Sequence, residues 1–279
     1  PSTSDRIEYI TIPTLGNATD FGNLTGARKW GGAAASRTRG CWAGGAPMGD
    51  TIDYVTISST GDATDFGDLT ATTEKDGLAT EIRGVFCGGY ASPSMKNIME
   101  YITIASTGNA VDFGDLGANR GSQGQGGGAS TTRGIWAGGQ WTSPFAANTI
   151  EYITVASTGN SADFGDLSAI GGWNSAVASP TRGLFGGFYP RNDGSIDRIT
   201  IASKGNAVEF GNLFTRQSTK GAAAATTATK MYMMGGGPGG DQTGVITFAT
   251  LGNSVDFGGE IVMGGNYSSG CGSPTRGCC

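Results

Sequence analysis

The stretch Leu15-Gly16-Asn17-Ala18-Thr19-Asp20-Phe21-Gly22-Asn23-Leu24 returns five more times in close variants, anchored on Phe66, Phe113, Phe164, Phe210 and Phe257. Successive anchors lie 45, 47, 51, 46 and 47 residues apart, which is the length of one blade of a β-propeller. A residue present in every copy is read as scaffold, so function is sought where the copies differ.

Working outward from the anchor, each copy divides into four short strands. The third is the most regular: Ile7 to Ile12, Ile52 to Ile57, Met99 to Ile104, Ile150 to Val155, Ile196 to Ile201 and Thr243 to Phe248. Its β-branched and aromatic content favours strand, and apolar positions on both sides suit a sheet packed on both faces. The fourth holds Asp-Phe-Gly. Between them stands Gly16, Gly61, Gly108, Gly159, Gly205 or Gly252, always followed by Asn or Asp, residue types that tolerate the positive φ of a tight hairpin. The second strand begins at Arg39, Arg83, Arg133, Arg182, Lys230 and Arg276, and the first, such as Gly32 to Ser36, ends in Ser or Thr. The chain opens on a third strand and closes inside a second one, so six complete blades require the two ends to share a blade. We therefore expect an all-β, six-bladed propeller of four-stranded blades, one domain over residues 1–279, closed by its N-terminal and C-terminal strands.

Composition agrees with that reading. With 51 Gly among 279 residues, a turn-rich β architecture is favoured over a helical one. The net charge is −5 and no Lys/Arg cluster occurs, which argues against nucleic acid, whose phosphates need a basic surface. No apolar run approaches the length of a membrane-spanning helix, so no membrane insertion is expected. The chain opens at Pro1 without Met, which suggests a processed or incompletely numbered chain. Cys41, Cys87, Cys278 and Cys279 fall in the repeated second strand, and with Cys271 make five in no zinc-binding spacing. Two readings stay open: buried or free thiols, and a disulfide near the chain closure.

The Gly-Gly doublet after an apolar strand, then a variable loop and a strand bearing Tyr9, Tyr54, Tyr101 or Tyr152, resembles the kelch repeat of β-propellers. The likeness spans Ile7 to Cys279. A Phe follows the Tyr by 12 residues (Tyr9 to Phe21) where kelch repeats carry a nearer Trp, and Arg198 and Val245 replace the Tyr in two copies. The Gly-Asn and Asp-Phe-Gly-Asp-Leu wording is also similar to repeat proteins of tailed bacteriophages, which implies a virion component of tail or fibre type.

The chain has no His. That removes the commonest general base and the commonest copper, zinc and non-haem iron ligand, so the copper chemistry of kelch-type oxidases is not carried over. No enzyme activity, cofactor or metal is expected. The six acids Asp20, Asp65, Asp112, Asp163, Glu209 and Asp256 are read as turn caps paired with the repeated Arg. Loop acids Asp50, Asp76, Glu81, Asp193, Asp241 and Glu260 show no pairing of the kind a glycosidase needs. Gly124 to Gly128 and Gly235 to Gly240 lack the Gly-Lys-Ser/Thr of a phosphate loop and are read as ordinary loops.

If strands alternate in direction, the loops after Gly-Gly and after the Phe strand share one face, and both loop classes vary. They carry Trp30, Tyr90, Trp141, Phe145, Trp173 and Tyr189, the candidate ligand-binding residues, with Phe188 beside them. Aromatics on rigid loops stack on sugars or anchor proteins, and the alternative for each is that it folds back over the propeller as packing. They do not repeat in register. The expected role is a non-enzymatic structural or adhesive protein on a virion or extracellular surface, with other virion or surface proteins, copies of itself and host-surface glycan as partners. The alternative is a carbohydrate-binding, lectin-like propeller. The outermost strand edge of each blade is expected to be open to assembly.

Overall fold

Asp-Phe-Gly is a β-bulge. In the first blade Ile52 faces Gly67 and Asp53 faces Asp65, so Phe66 is the extra residue of its strand. The same shift occurs at Phe21, Phe113, Phe164 and Phe210. The bulge turns each Phe into the core while the preceding acid stays exposed, and the added twist bends the outer strand.

The computed structural model describes residues 3–14, 16–71, 74–91, 93–117, 125–139, 147–172, 174–188, 191, 193–213, 223–234, 242–260 and 269–279. It is all-β, with six four-stranded antiparallel sheets. Blade one is Gly32–Ala35, Arg39–Ala43, Thr51–Thr56 and Thr64–Asp68; blade two is Asp76–Ala79, Arg83–Cys87, Ile98–Thr103 and Val111–Asp115. Blade three is Gln125–Ala129, Arg133–Gly138, Ala147–Thr154 and Ala162–Gly171; blade four is Ser175–Ala178, Arg182–Gly186, Ser195–Thr200 and Val208–Asn212. Blade five is Ala223–Thr226, Lys230–Met234, Gln242–Thr247 and Val255–Glu260. Blade six takes Cys271–Gly272 and Arg276–Cys278 from the end of the chain and Ser4–Thr11 and Thr19–Arg28 from its beginning, joined where Tyr9, Ile10 and Thr11 face Cys278, Gly277 and Arg276.

The first strands neighbour one another in sequence, and Cys271–Gly272 returns to Gly32–Ala35. The ring is closed, as the complementary half-repeats require. Gly124 to Gly128 does not form a loop along its whole length: Gln125–Ala129 is the innermost strand of blade three. Glycine is needed there because a Cβ on Gly128 would lie 2.8 Å from the Val177 backbone of blade four. Gly235 to Gly240 lies outside the described residues.

Among the described residues six apolar clusters lie between blades, each drawing on adjacent sheets. Tyr and Phe of the third and fourth strands meet edge to face in four blades, with centroids 5.7 to 6.0 Å apart. In blade five, where Val245 replaces the Tyr, Tyr232 opposite it supplies the ring to Phe257 at 5.3 Å.

Candidate functional site

The repeated polar residues are consumed in joining blades. Five of the six Gly-Asn/Asp segments dock on the outer strand of the blade before them: Gly61 N–H donates to Phe21 O at 2.8 Å, and Ala63 N–H to Asn23 O at 2.7 Å. Asp62 Oδ1 accepts from Asn23 N–H at 2.9 Å. Gly108, Gly159, Gly205 and Gly252 repeat the first contact, and Asn109, Asn160, Asn206 and Asn253 the last. Two expectations change. The hydrogen-bonded turn lies upstream of the Gly, as where Ser59 N–H donates to Thr56 O, because the Gly-Asn segment is drawn out to reach its neighbour. The middle of the outer strand edge is occupied by that segment, so the edges of blades six and one to four are not open templates there.

The repeated Arg does not pair with the repeated acid. Arg39, Arg83, Arg133 and Arg276 stack on Tyr54, Tyr101, Tyr152 and Tyr9 of their own blades. They donate to Ile104 O, Val155 O, Ile201 O and Ile57 O of the next blade at 2.6 to 3.0 Å, and Arg182 to Phe248 O likewise. The acids are exposed on the outer strands. Asp65 and Asp256 do cap the bulge, accepting from Gly67 N–H at 3.2 Å and Gly258 N–H at 2.8 Å, while Asp20 lies 3.7 Å from Arg6.

Under the variable loops is a set of buried carboxylates that the sequence reading passed over. Glu8, Asp53, Glu100, Glu151 and Asp197 hold one position of the third strand in five blades, and all are buried. Four bind the chain leaving the previous blade: Asp53 accepts from Thr25 N–H, Glu100 from Thr70, Glu151 from Gly117 and Asp197 from Ser168. Cations stand beside three of these, with Arg28 on Asp53, Lys75 2.8 Å from Glu100, and Arg191 3.4 Å from Asp197. Burial lowers the Arg28 pKa and Asp53 opposes it. The signal was an acid directly before the Tyr or Arg of the third strand, hidden by the apolar residues on either side.

Above this layer stands Trp30, the one described non-Gly residue with positive φ, at 64°. A bulky side chain resists that conformation, and such strain persists only where the surroundings dictate it. They do so here. Lys29 and Ala46 exchange both backbone hydrogen bonds, and Trp30 O accepts from Lys75 N–H at 3.2 Å, so Trp30 is fixed where blades six, one and two meet. Its ring is half-buried and Lys29 Nζ lies 4.2 Å from the centroid. Tyr90, also half-buried, starts a two-stranded ribbon with Ser94–Met95 in the second-to-third loop of blade two.

Trp141, Phe145, Trp173 and Tyr189 lie outside the described residues. Phe188 is core: it is buried, with Arg191 4.6 Å from its ring centroid. Arg191 also reaches Asp193 at 3.2 Å. Burial opposes ionisation of Asp193, but hydrogen bonds from Ser195 and the charge of Arg191 outweigh it and hold the carboxyl below its ordinary value. One register match was missed: Trp30 follows Phe21, and Trp173 follows Phe164, by the same interval, each two residues before a first strand. The two junctions are three blades apart.

Among the described residues no group of three or more His, Cys, Asp or Glu could hold a metal, and no helix is long and apolar enough to cross a membrane. No protein-family model and no curated protein matches the chain.

Proposed function

We propose that this propeller is a non-enzymatic binding and structural module, carried on a virion or a surface appendage, that engages its partner through the variable loop face. The observation that carries the reading is Trp30: a half-exposed aromatic held in a costly backbone conformation at a three-blade junction, on the face where the copies differ. Strain held by the scaffold marks a position whose orientation matters. The invariant parts of the repeat are occupied elsewhere in holding blades together. The virion assignment draws on the likeness of the repeat wording to tailed-phage proteins. A lectin-like propeller is the second reading, favoured by the register match of Trp30 and Trp173, since sugar rings stack on such indoles.

The deciding experiment is retention of the purified chain on host-type cells and on a glycan array, with Trp30→Ala and the Trp141→Ala/Trp173→Ala pair. Each substitution should weaken adhesion by about tenfold or more, as interface aromatics do, with the thermal midpoint little changed. Wild-type adhesion by all variants would move the binding site off this face. Binding of defined glycans by the isolated chain would select the lectin reading.

A further inference from the structure

The ring closes at its thinnest point. Cys271–Gly272 has two residues, against four or five in every other innermost strand, and its neighbour Arg276–Cys278 has three. Two cysteines meet there. Cys271 and Cys278 are partners across the antiparallel pair, both buried, in one apolar cluster with Ala33 and Trp42 of blade one. A Cβ on Gly40 would lie 2.7 Å from Cys271 Sγ, so the pair is wedged into the seam between blades six and one. Cys41 and Cys279 are near enough to act on the Cys271 thiol, but their side chains pack in other clusters. Cys41 belongs to the cluster facing blade two, Cys279 packs with Tyr232 and Phe257 of blade five, and Cys87 joins the cluster between blades two and three.

We propose that Cys271 and Cys278 are a redox pair that locks the closing hairpin of the ring when joined as a disulfide. The oxidant is a low-molecular-weight disulfide of the glutathione class. One cysteine thiolate attacks it, forming a mixed disulfide and releasing one small thiol; the second cysteine then attacks the mixed disulfide, forming the Cys271–Cys278 bond and releasing the other. Two protein thiols lose two electrons and two protons, and one small disulfide becomes two thiols. The Cys278 thiol, and then burial, hold the Cys271 thiol well above its ordinary pKa. Since thiolate is the attacking species, the closed ring resists the oxidant and exchange proceeds when the hairpin opens. Once formed, the bond removes the freedom of the open hairpin and so slows loss of the seam.

The test uses the full chain, reduced and then incubated with oxidised glutathione at mildly alkaline pH, with and without sub-denaturing urea. Peptide mapping should find Cys271 joined to Cys278 as the main product, formed faster in urea. The oxidised protein should unfold in guanidinium at least about tenfold more slowly than the reduced one, with dithiothreitol reversing the gain. Cys87→Ser should keep this redox dependence and Cys278→Ser abolish it; should Cys278→Ser not fold, the comparison of oxidised and reduced wild type decides alone. Links through Cys41 or Cys279, failure to form the internal link, or equal unfolding rates for the two forms would overturn the proposal.

Discussion

Gly67 and Gly114 show what one residue of the repeated phrase does. Each has a positive φ, 144° and 138°, and an added Cβ would lie 2.6 Å from the Gly108 backbone or 2.5 Å from that of Gly159. Both objections are backbone ones, which no rotamer relieves. Gly67→Ala should therefore cost about 2 to 4 kcal/mol, while Thr107→Ala on the exposed hairpin nearby should fall within about 0.5 kcal/mol of wild type. Equilibrium urea unfolding checks the pair, and a tolerated Gly67→Ala would mean that the blades are not in close contact there. The sequence made this glycine conspicuous by repetition. It did not say that the obstruction belongs to the next blade, because that atom is some forty residues away.

At the scale of elements, the fold is a set of sheets stitched to their neighbours on both faces. On one face Arg and Gly-Asn reach across; on the other, carboxylates of the third strands hold the chain leaving the previous blade. Lys75 and Glu100, both without exposed side-chain surface, test the second kind of join. Removing one member strands a charge in the interior, so Lys75→Met should cost about 3 to 5 kcal/mol. The double substitution Lys75→Met/Glu100→Gln should recover much of that loss, because a neutral amide still accepts from Thr70. A double-mutant cycle by thermal and chemical unfolding measures the coupling, and strict additivity would show that the pair does not act as a unit. Strand order and blade length were legible in the repeat, since hydrophobic alternation and turn residues are local. The pairing of Arg with carbonyls in place of acids was not, because spacing along a chain does not say which side of a sheet joint a side chain reaches.

For the whole molecule, closure is the decisive feature. Blade six exists only while Arg276–Cys278 lies against Ser4–Thr11, and deleting residues 270–279 would uncover that strand edge and one end of the ring of inner strands. We expect the thermal midpoint to fall by about 10 °C or more and the chain to associate through the uncovered edge, as read by circular dichroism melting and light scattering. An unshifted melt with a monodisperse monomer would mean that closure contributes little. Of the candidate site, the sequence marked Trp30 and Tyr90 as loop aromatics on one face, and placed Phe188 among them although the structure buries it. The sequence by itself determined the number of blades, their four-strand pattern and the sharing of one blade by both ends, because these follow from periodicity and from which half-repeats stand at the termini. Only the tertiary structure decided that the outer edges of five blades are covered at their middle, that five acids are buried between blades, that Trp30 is strained at a three-blade junction and that Cys271 meets Cys278 at the seam, because each depends on contacts between residues of neighbouring blades.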